Sequence, residues 1–222
     1  IDKFMGDALM AFWNAPLDDP NHPGNACAAA LRMVDKMAVL NDRWKQAAEQ
    51  AGRTYKPVKL GIGLNTGLCC VGNLGSETRF DYSVIGDNVN VASRLEGQSK
   101  TYDLVIIAGE ETASRATDYA FLELDLLKVK GKTEATRIFA MMGDDSIRQS
   151  NAIEALAAKH QDFLSAYRNR DWDGADILLR ECETMGGQKL EGLYALYRGR
   201  VKTFRTNPPP KDWDFTAQAT SK

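Results

Sequence analysis

The pattern of hydrophobic and polar positions near the middle of the chain predicts a strand, a tight turn and a helix. Bulky apolar side chains stand at every second position, Phe80, Tyr82 and Val84, which is the period of a β-strand. The pair Gly86-Asp87 interrupts this pattern, and Asp87 is a suitable cap for a helix that starts there. We therefore expect this strand to lead directly into the helix.

Two polar side chains share one face of that predicted helix. Asn90 and Arg94 are four residues apart, and residues at this spacing project from the same side of a helix. The guanidinium of arginine is a planar, permanently charged fork that matches phosphate oxygens. An amide and a guanidinium beside a strand end are suited to hold a sugar and a phosphate. Taken alone, the pair is equally typical of a solvated helix face.

The beginning of the chain is predicted to form a hairpin, a loop and a long helix. Residues 1–13 contain two short strands joined at Gly6-Asp7, a turn that a glycine leads. A proline-containing loop follows, and a helix is expected from about Asn25 to Gln50. We assign its apolar stripe to the core: Ala30, Met33, Val34, Met37, Leu40 and Trp44.

Residues 56–65 show the strongest strand pattern of the chain. Apolar side chains fill one face, whereas Gly61 and Gly63 lie on the other, where another backbone is expected to approach closely. A turn then leads to a second strand over residues 68–72, which predicts an antiparallel pair. Residues 72–78 are expected to form a glycine-containing loop, which lacks the spacing of a Walker phosphate loop.

The remaining elements complete an α+β fold, a mostly antiparallel sheet covered by helices. A short strand is predicted over residues 104–108, a short helix over 110–115, and a closing pair of strands over 120–130 and 135–142. After Gly143 the pattern becomes helical. We therefore divide the chain into a domain at 1–142 and a helical appendage at 143–222.

The appendage is predicted to contain three helices and a tail. The helices are expected over residues 146–167, 172–183 and 189–204, and the proline-rich tail is expected to be extended. Their stacking resembles a small tetratricopeptide-like unit, with a packing or regulatory role. His160 is the only histidine in this part, and we interpret it as a satisfied structural residue rather than a ligand.

Composition excludes several classes of protein. The chain has 222 residues and a net charge of −2, and without a basic stripe it does not indicate a nucleic-acid partner. No apolar run reaches the roughly 18 residues that would span a membrane. The four cysteines have no metal spacing and are interpreted as reduced core thiols in a cytoplasmic protein: Cys27, Cys69, Cys70 and Cys182.

Four motifs in this order resemble the class III nucleotide cyclases, the catalytic domain of adenylyl and guanylyl cyclases. They are Lys3-Phe4-Met5-Gly6-Asp7, Gly72-Asn73-Leu74-Gly75, the strand and helix of residues 79–96, and Val129-Lys130-Gly131-Lys132. The resemblance covers about residues 1–142. It implies a bacterial-type adenylyl cyclase that converts ATP to 3′,5′-cyclic AMP and pyrophosphate, the ribose 3′-hydroxyl attacking the α-phosphate.

The resemblance assigns a metal ligand and the groups that select the base. Asp7 matches one of two aspartates that bind two Mg²⁺ or Mn²⁺ ions per site, and hard cations prefer carboxylate oxygens. The second aspartate is expected upstream of Ile1, so the chain is expected to be a fragment that is inactive alone. Lys3 and Ser83 match the base-selecting positions. Lysine can donate to an acceptor nitrogen of adenine, and a hydroxyl can accept from its amino group.

The remaining groups of the implied site handle the ribose and the phosphates. Asn90 would position the ribose, Arg94 the transition-state phosphate, and Lys130 the phosphates, with Lys132 as the second choice. Without the resemblance, Lys3 would be a solvated strand residue, Asp7 a turn aspartate, and Lys130 part of a solvated lysine edge.

In the family, the two halves of each site lie on different protomers. The resemblance therefore implies a homodimer with its active sites at the interface, and an amino-terminal membrane sensor can precede such domains. Guanylyl cyclases are the near alternative, although they usually carry an acidic residue in place of Lys3. Many adenylyl cyclases have aspartate in place of Ser83, and a bacterial subgroup has threonine or serine. An inactive cyclase homology domain used for dimerisation or regulation is the alternative from another class.

Overall fold

The computed structural model describes residues 1–76, 78–128 and 135–218. Within these ranges the chain folds into a five-stranded sheet, two separate two-stranded sheets and helices packed against them. The predicted fold class, α+β with mostly antiparallel strand pairs, is confirmed. No helix in the described ranges is long and apolar enough to cross a membrane.

The strands and helices have the following bounds. The strands are β1 (Lys3–Met5), β2 (Ala8–Met10), β3 (Ile62–Leu64), β4 (Cys70–Ser76), β5 (Arg79–Ile85), β6 (Ile106–Gly109), β7 (Ala120–Lys128), β8 (Ala135–Gly143) and β9 (Thr216–Gln218). The α-helices are α1 (His22–Gln50), α2 (Asp87–Tyr102), α3 (Glu110–Arg115), α4 (Asp145–Arg148), α5 (Asn151–Arg168), α6 (Trp172–Gly186) and α7 (Glu191–Thr206).

The large sheet has the strand order β3-β6-β8-β7-β9. Its central strand β8 is antiparallel to both β6 and β7, so that Ala140 faces Ile107 on one side and Leu122 on the other. The two outer pairs, β3 with β6 and β7 with β9, are parallel. The hairpins β1-β2 and β4-β5 stand apart from this sheet, and each is antiparallel.

The long helix begins earlier than predicted and is less buried. It starts at His22, and Pro23 occupies the first turn, where a helix does not need the missing N–H. Ala30 is buried and Val34 packs against the core. The core assignment is wrong for Met33 and Trp44, which are exposed. The buried residues of α1 all lie in its amino-terminal third. The apolar stripe therefore continues along α1 beyond the part of the helix that packs against the core.

The strand predicted over residues 56–65 is wrong in length and in pairing. Only Ile62–Leu64 is strand, and it pairs in parallel with β6 instead of antiparallel with residues 68–72. The Asn41 side chain on α1 donates to Val58 O at 2.9 Å and accepts from Val58 N at 2.9 Å. Because this amide satisfies the Val58 backbone, that residue needs no strand neighbour.

The loop predicted over residues 72–78 is also wrong. These residues belong mainly to β4, which pairs with β5 and places Gly72 opposite Ser83 and Gly75 opposite Phe80. Glycine is unfavourable in strands, and for that reason the sequence pattern indicated a loop. The long cross-strand pairing with β5 outweighs this preference.

Helix α2 packs directly on β3 and supplies the close backbone that the glycine face predicted. A Cβ atom at Gly63 would lie 2.1 Å from Ala92 O and 2.4 Å from Glu96 N. A Cβ atom at Gly61 would lie 2.4 Å from Ser99 Oγ. The close backbone approach is thus confirmed at Gly63, whereas Gly61 faces a side chain.

The predictions for residues 104–142 are confirmed apart from strand boundaries. Strand β6 begins at Ile106, two residues late, and α3 spans the predicted Glu110–Arg115. Strands β7 and β8 form the expected antiparallel pair. The turn predicted around Gly131-Lys132 lies outside the described residues.

The carboxy-terminal residues form helices and a final strand. The helix predicted over residues 146–167 is two helices, because α4 ends at Arg148 and Ser150 Oγ caps α5 by accepting from Ile153 N at 3.3 Å. The other two predicted helices are observed as α6 and α7. The extended tail adds β9 to the sheet beside β7.

These helices share one hydrophobic core with the sheet. The core cluster joins Tyr102 of α2 and Leu124 of β7 to Phe163 and Tyr197 of the carboxy-terminal helices. A buried ion pair also joins the sheet to the carboxy-terminal helices. Arg200 Nη1 on α7 donates to Asp125 Oδ2 on β7 at 2.5 Å. The division of the chain at residue 142 stays a prediction.

His160 is buried between the sheet and the carboxy-terminal helices, as expected of a structural residue. Its Nε2 lies 2.7 Å from Glu123 O, and its Nδ1 lies 3.3 Å from Tyr194 Oη. A carbonyl oxygen only accepts, so Nε2 carries the proton and the tyrosine hydroxyl donates to Nδ1. Burial lowers the pKa of His160 to about 4, because a charged imidazole would lose its hydration there.

The four cysteines are free thiols. Cys27 and Cys182 are buried as expected, and burial raises the pKa of Cys27 to about 12. The expectation of core thiols is wrong for Cys69 and Cys70, which are exposed at and just before the start of β4.

Candidate active site

The first hairpin presents Lys3 and Asp7 to solvent. Lys3 begins β1 and faces Met10 across the pair, and the turn lies between Met5 and Ala8. Gly6 adopts a φ of +64° in this turn, a left-handed backbone conformation that residues other than glycine rarely adopt. Asp7 follows directly and is exposed. Its carboxylate has no hydrogen bond or ion pair with other described residues, so it is free to bind a ligand.

The base-selecting residues that the sequence predicts, Lys3 and Ser83, meet at a third residue. Ser83 on β5 is only 3% exposed, and its Oγ donates to Asp2 Oδ2 at 2.9 Å. Lys3 Nζ lies 3.7 Å from the same oxygen. The Lys3 side chain is 42% exposed, and it therefore combines a carboxylate neighbour with access to solvent.

Asp2 was not among the predicted site residues. Its side chain is 1% exposed, although its neighbours Ile1 and Lys3 are open to solvent. The strand alternation around Lys3 offered one signal, because an exposed Lys3 implies that Asp2 faces inward. A carboxylate at an inward position needs partners. Those partners, however, could not be read from the local sequence.

Helix α2 carries Asn90 and Arg94 as predicted. The helix starts after Gly86, not at a side-chain cap from Asp87, and Gly86 has a φ of +148° that favours glycine. Asn90 is exposed and Arg94 is half-buried. Among the described residues, neither side chain has a hydrogen bond or an ion pair. One face of α2 thus presents an amide and a guanidinium that are free to bind a ligand.

Asn88 fixes the start of α2, a role that the sequence did not indicate. Its side-chain nitrogen donates to Leu68 O at 3.0 Å, and Asn65 Nδ2 donates to Asn88 O at 3.0 Å. A Cβ atom at Gly67 would lie 2.3 Å from Asn88 Nδ2. These contacts hold the segment before β4 against the helix that carries Asn90.

Lys130 and its second choice, Lys132, lie outside the described residues. The neighbouring Lys128 ends β7, and its Nζ lies 3.9 Å from Asp214 Oδ2 of the tail. The role predicted for Lys130 stays a prediction.

The structure brings some of the predicted residues together and leaves others apart. Lys3 and Ser83 converge on Asp2, and Asn90 and Arg94 share α2 immediately after the strand that carries Ser83. No hydrogen bond or ion pair in the described ranges joins Asp7 to either group. A cavity of about 250 Å³ beside the start of α2 contains none of the predicted site residues; its lining is Asn65, Thr66, Asn88, Val91, Glu110, Glu111 and Thr136.

Asp7 fits a hard divalent cation, because it offers an exposed carboxylate without a competing partner. The described residues contain no cluster of three or more histidine, cysteine, aspartate or glutamate side chains that could hold a metal ion.

Comparison with known proteins relates this chain to nucleotide cyclases. Residues 3–143 match the family described as the adenylate and guanylate cyclase catalytic domain. Adenylate cyclase 1 of Rhizobium meliloti is 34% identical over 159 residues, which is 71% of this chain but only 23% of that protein. The chain thus spans about a quarter of the length of this relative.

Two solved structures share the fold. The adenylyl cyclase CyaB from P. aeruginosa superposes with a TM-score of 0.56 at 32% identity, over 64% of this chain and 71% of that one. The guanylyl cyclase Cya2 superposes with a TM-score of 0.54 at 28% identity, over 64% of this chain and 69% of that one.

Proposed function

The chain belongs to the family of adenylate and guanylate cyclase catalytic domains, and from this premise we propose that the complete protein is an adenylate cyclase. It converts ATP to 3′,5′-cyclic AMP and pyrophosphate as an output of signal transduction. The similarity to adenylate cyclase 1 of Rhizobium meliloti supports this choice. The similarity to a guanylyl cyclase leaves the base to be decided by the site itself.

The observation that carries the choice of ATP is the meeting of Lys3 and Ser83 at one carboxylate. Lys3 Nζ and Ser83 Oγ lie 3.7 Å and 2.9 Å from Asp2 Oδ2, and this shared neighbour supports the proposal that both contact one base. Lysine only donates hydrogen bonds, whereas the serine oxygen can accept one. Adenine offers an acceptor ring nitrogen beside a donor amino group. The two side chains match that pattern.

The groups on α2 would act on the ribose and the α-phosphate. Asn90 would orient the ribose so that its 3′-hydroxyl faces the α-phosphate, and such positioning is a large part of catalysis. Arg94 would stabilise the negative charge that develops on the phosphate oxygens. Lys130 is proposed to contact the phosphates.

Asp7 would hold the divalent ion, of which two per site are proposed. When bound, Mg²⁺ or Mn²⁺ supplies positive charge for the 3′-hydroxyl and the phosphates. The exposed carboxylate of Asp7 supports this role.

The complete site is proposed to form between two copies of the protein. Large apolar side chains are exposed on both hairpins, and Phe4 and Phe80 are 74% and 61% exposed. Such a surface is typical of an interaction site. A second copy is the proposed occupant, because it would bring Asp7 of one protomer to Asn90 and Arg94 of the other. A symmetric dimer then contains two equivalent sites.

The proposal is tested by nucleotide turnover of the complete protein with Mg²⁺ or Mn²⁺. We expect kcat/KM for ATP to exceed that for GTP. Asp7→Ala should lower turnover by about 10³-fold or more, since losing a metal ligand removes several kcal/mol of transition-state stabilisation. Asp18→Ala, which changes another exposed aspartate, is the matched control and should remain active.

Three results would contradict the proposal. A preference for GTP would identify a guanylate cyclase. Turnover of neither nucleotide by the folded wild-type protein would favour a domain that serves only in dimerisation. Near-normal activity of folded Asp7→Ala protein would remove Asp7 from the metal site.

A further inference from the structure

Asp2 is a buried carboxylate in an exposed part of the chain. Its side chain is 1% exposed, and it contacts both predicted base-selecting residues through Oδ2. Its other oxygen, Oδ1, is buried and has no hydrogen-bond partner among the described residues. A buried carboxylate oxygen without a partner is costly. The buried position of Asp2 is therefore maintained at a cost in free energy.

The hydrogen bond between Ser83 and Asp2 has a fixed direction. An ionised carboxylate has acceptors and no donor, whereas a hydroxyl has one proton and two lone pairs. Ser83 must therefore give its only proton to Asp2 Oδ2, at 2.9 Å. Towards any other group the Ser83 oxygen can only accept.

We propose that Asp2 is a specificity-determining residue, which fixes Ser83 as a hydrogen-bond acceptor and so selects a base with an amino group at its 6-position. This inference rests on the proposed function and explains how the site would choose ATP. The 6-position of adenine carries an amino donor, and that of guanine carries an acceptor oxygen. An acceptor-only Ser83 pairs with the first and leaves the second without a partner.

Lys3 completes the pattern next to the same carboxylate. Its ammonium carries three donors and no acceptor. At 3.7 Å from Asp2 Oδ2, it is held beside Ser83 and can direct a remaining donor towards a ring nitrogen. Asp2 thus sets an acceptor at Ser83 next to a donor at Lys3, which is the complement of adenine and the reverse of what guanine requires.

The test is the ratio of kcat/KM for ATP to kcat/KM for GTP in variants of the complete protein. Asp2→Asn introduces an amide that can donate to Ser83, so that the hydroxyl proton can turn towards the base. We expect the ATP:GTP ratio to fall by about tenfold or more, because a buried polar mismatch discriminates strongly. Asp2→Glu keeps the carboxylate and should keep most of the preference.

A double-mutant cycle separates this role from a structural one. Ser83→Ala removes the hydroxyl that Asp2 orients, so Asp2→Asn should not change the ratio further in that background. A purely structural Asp2 would lower turnover of both nucleotides in parallel and leave their ratio unchanged. Thermal unfolding checks that each variant is folded. If Asp2→Asn unfolds, Asp2→Ala carries the test, since it removes the buried charge and also frees the Ser83 proton.

The outcomes distinguish this inference from the proposed function. Wild-type protein that prefers ATP, together with a lower ratio in the Asp2 variants, supports both. Wild-type protein that prefers ATP, together with an unchanged ratio in folded Asp2→Asn or Asp2→Ala protein, overturns the role of Asp2 alone. Wild-type protein that prefers GTP or turns over neither nucleotide overturns the proposed function, and the inference with it.

Discussion

Replacing Gly63 with alanine should disturb the candidate site indirectly, by displacing the helix that carries two of its residues. Gly63 lies on β3, beneath the helix that carries Asn90 and Arg94. The new methyl group would lie 2.1 Å from Ala92 O and 2.4 Å from Glu96 N, whereas ordinary contacts of a Cβ atom begin near 3.4 Å. Both neighbouring atoms are backbone, so no side-chain rotation can relieve the overlap. Helix α2 must move by more than about 1 Å.

Two effects are expected from this displacement. Overpacking of a core typically costs 1–3 kcal/mol, and an overlap with backbone should cost about 3 kcal/mol or more. A shift of about 1 Å in groups that position a substrate can lower turnover by about 10²-fold. We therefore expect Gly63→Ala to lower both the free energy of unfolding and the cyclic AMP production of the complete protein.

Urea unfolding and a turnover assay measure the two effects. Gly97→Ala is the matched control, because Gly97 is on α2 itself and its Cβ would meet nothing within 4 Å. Alanine is a better helix former than glycine, so this control should be neutral or more stable by up to about 1 kcal/mol. If Gly63→Ala were as stable and active as Gly97→Ala, the close packing of α2 on β3 would be refuted.

Two further predictions concern the core that joins the sheet and the carboxy-terminal helices. Asp125→Ala should lower the free energy of unfolding by about 3–5 kcal/mol in a urea titration, because it leaves the buried Arg200 charge without its carboxylate. The control Asp176→Ala breaks an ion pair with a largely exposed arginine. It should lower the free energy of unfolding by less than about 1 kcal/mol in the same titration. His160 has its pKa lowered to about 4 in the folded protein, so unfolded protein binds the proton first as pH falls. Stability should therefore drop by about 2 kcal/mol between pH 8 and pH 5. His160→Gln should remove this part of the slope, and an unchanged slope would show that another group is responsible.

Segments whose structure depends on local periodicity could be predicted from sequence. The strand at residues 79–85 and the helix after it were visible because apolar positions change from a period of two to a helical spacing. The same reasoning located α3 and the β7-β8 pair. The glycine face at Gly63 also predicted a close backbone approach, since only a missing Cβ permits it.

The errors arose where distant residues decide the local structure. Alternation over residues 56–65 is typical of a strand, but Asn41 on α1 binds the Val58 backbone, and β3 keeps only three residues. The pairing of β4 with β5 overrides the glycines that suggested a loop. Local pattern cannot show which backbone groups find partners elsewhere.

The candidate site likewise contains residues that the sequence motifs predicted and one, Asp2, that depends on a distant contact. Lys3, Ser83, Asn90 and Arg94 were assigned through motifs, and the structure places the first two at one carboxylate. Asp2 was missed because its partner Ser83 is 81 residues away in sequence. The roles of all six predicted site residues stay predictions, and Lys130 lies outside the described residues.

The central claim is that Asp7 of one protomer acts with Asn90 and Arg94 of another, and mixing two inactive variants tests it most directly. Complete proteins that carry Asp7→Ala or Asn90→Ala should each be nearly inactive. In a heterodimer, both changes fall in one site and the other site is intact. With free exchange about half of the dimers are mixed, so cyclic AMP production should return to roughly a quarter of the wild-type rate. If ultracentrifugation shows that both variants dimerise and exchange, yet the mixture stays as inactive as its components, the site does not form between two chains.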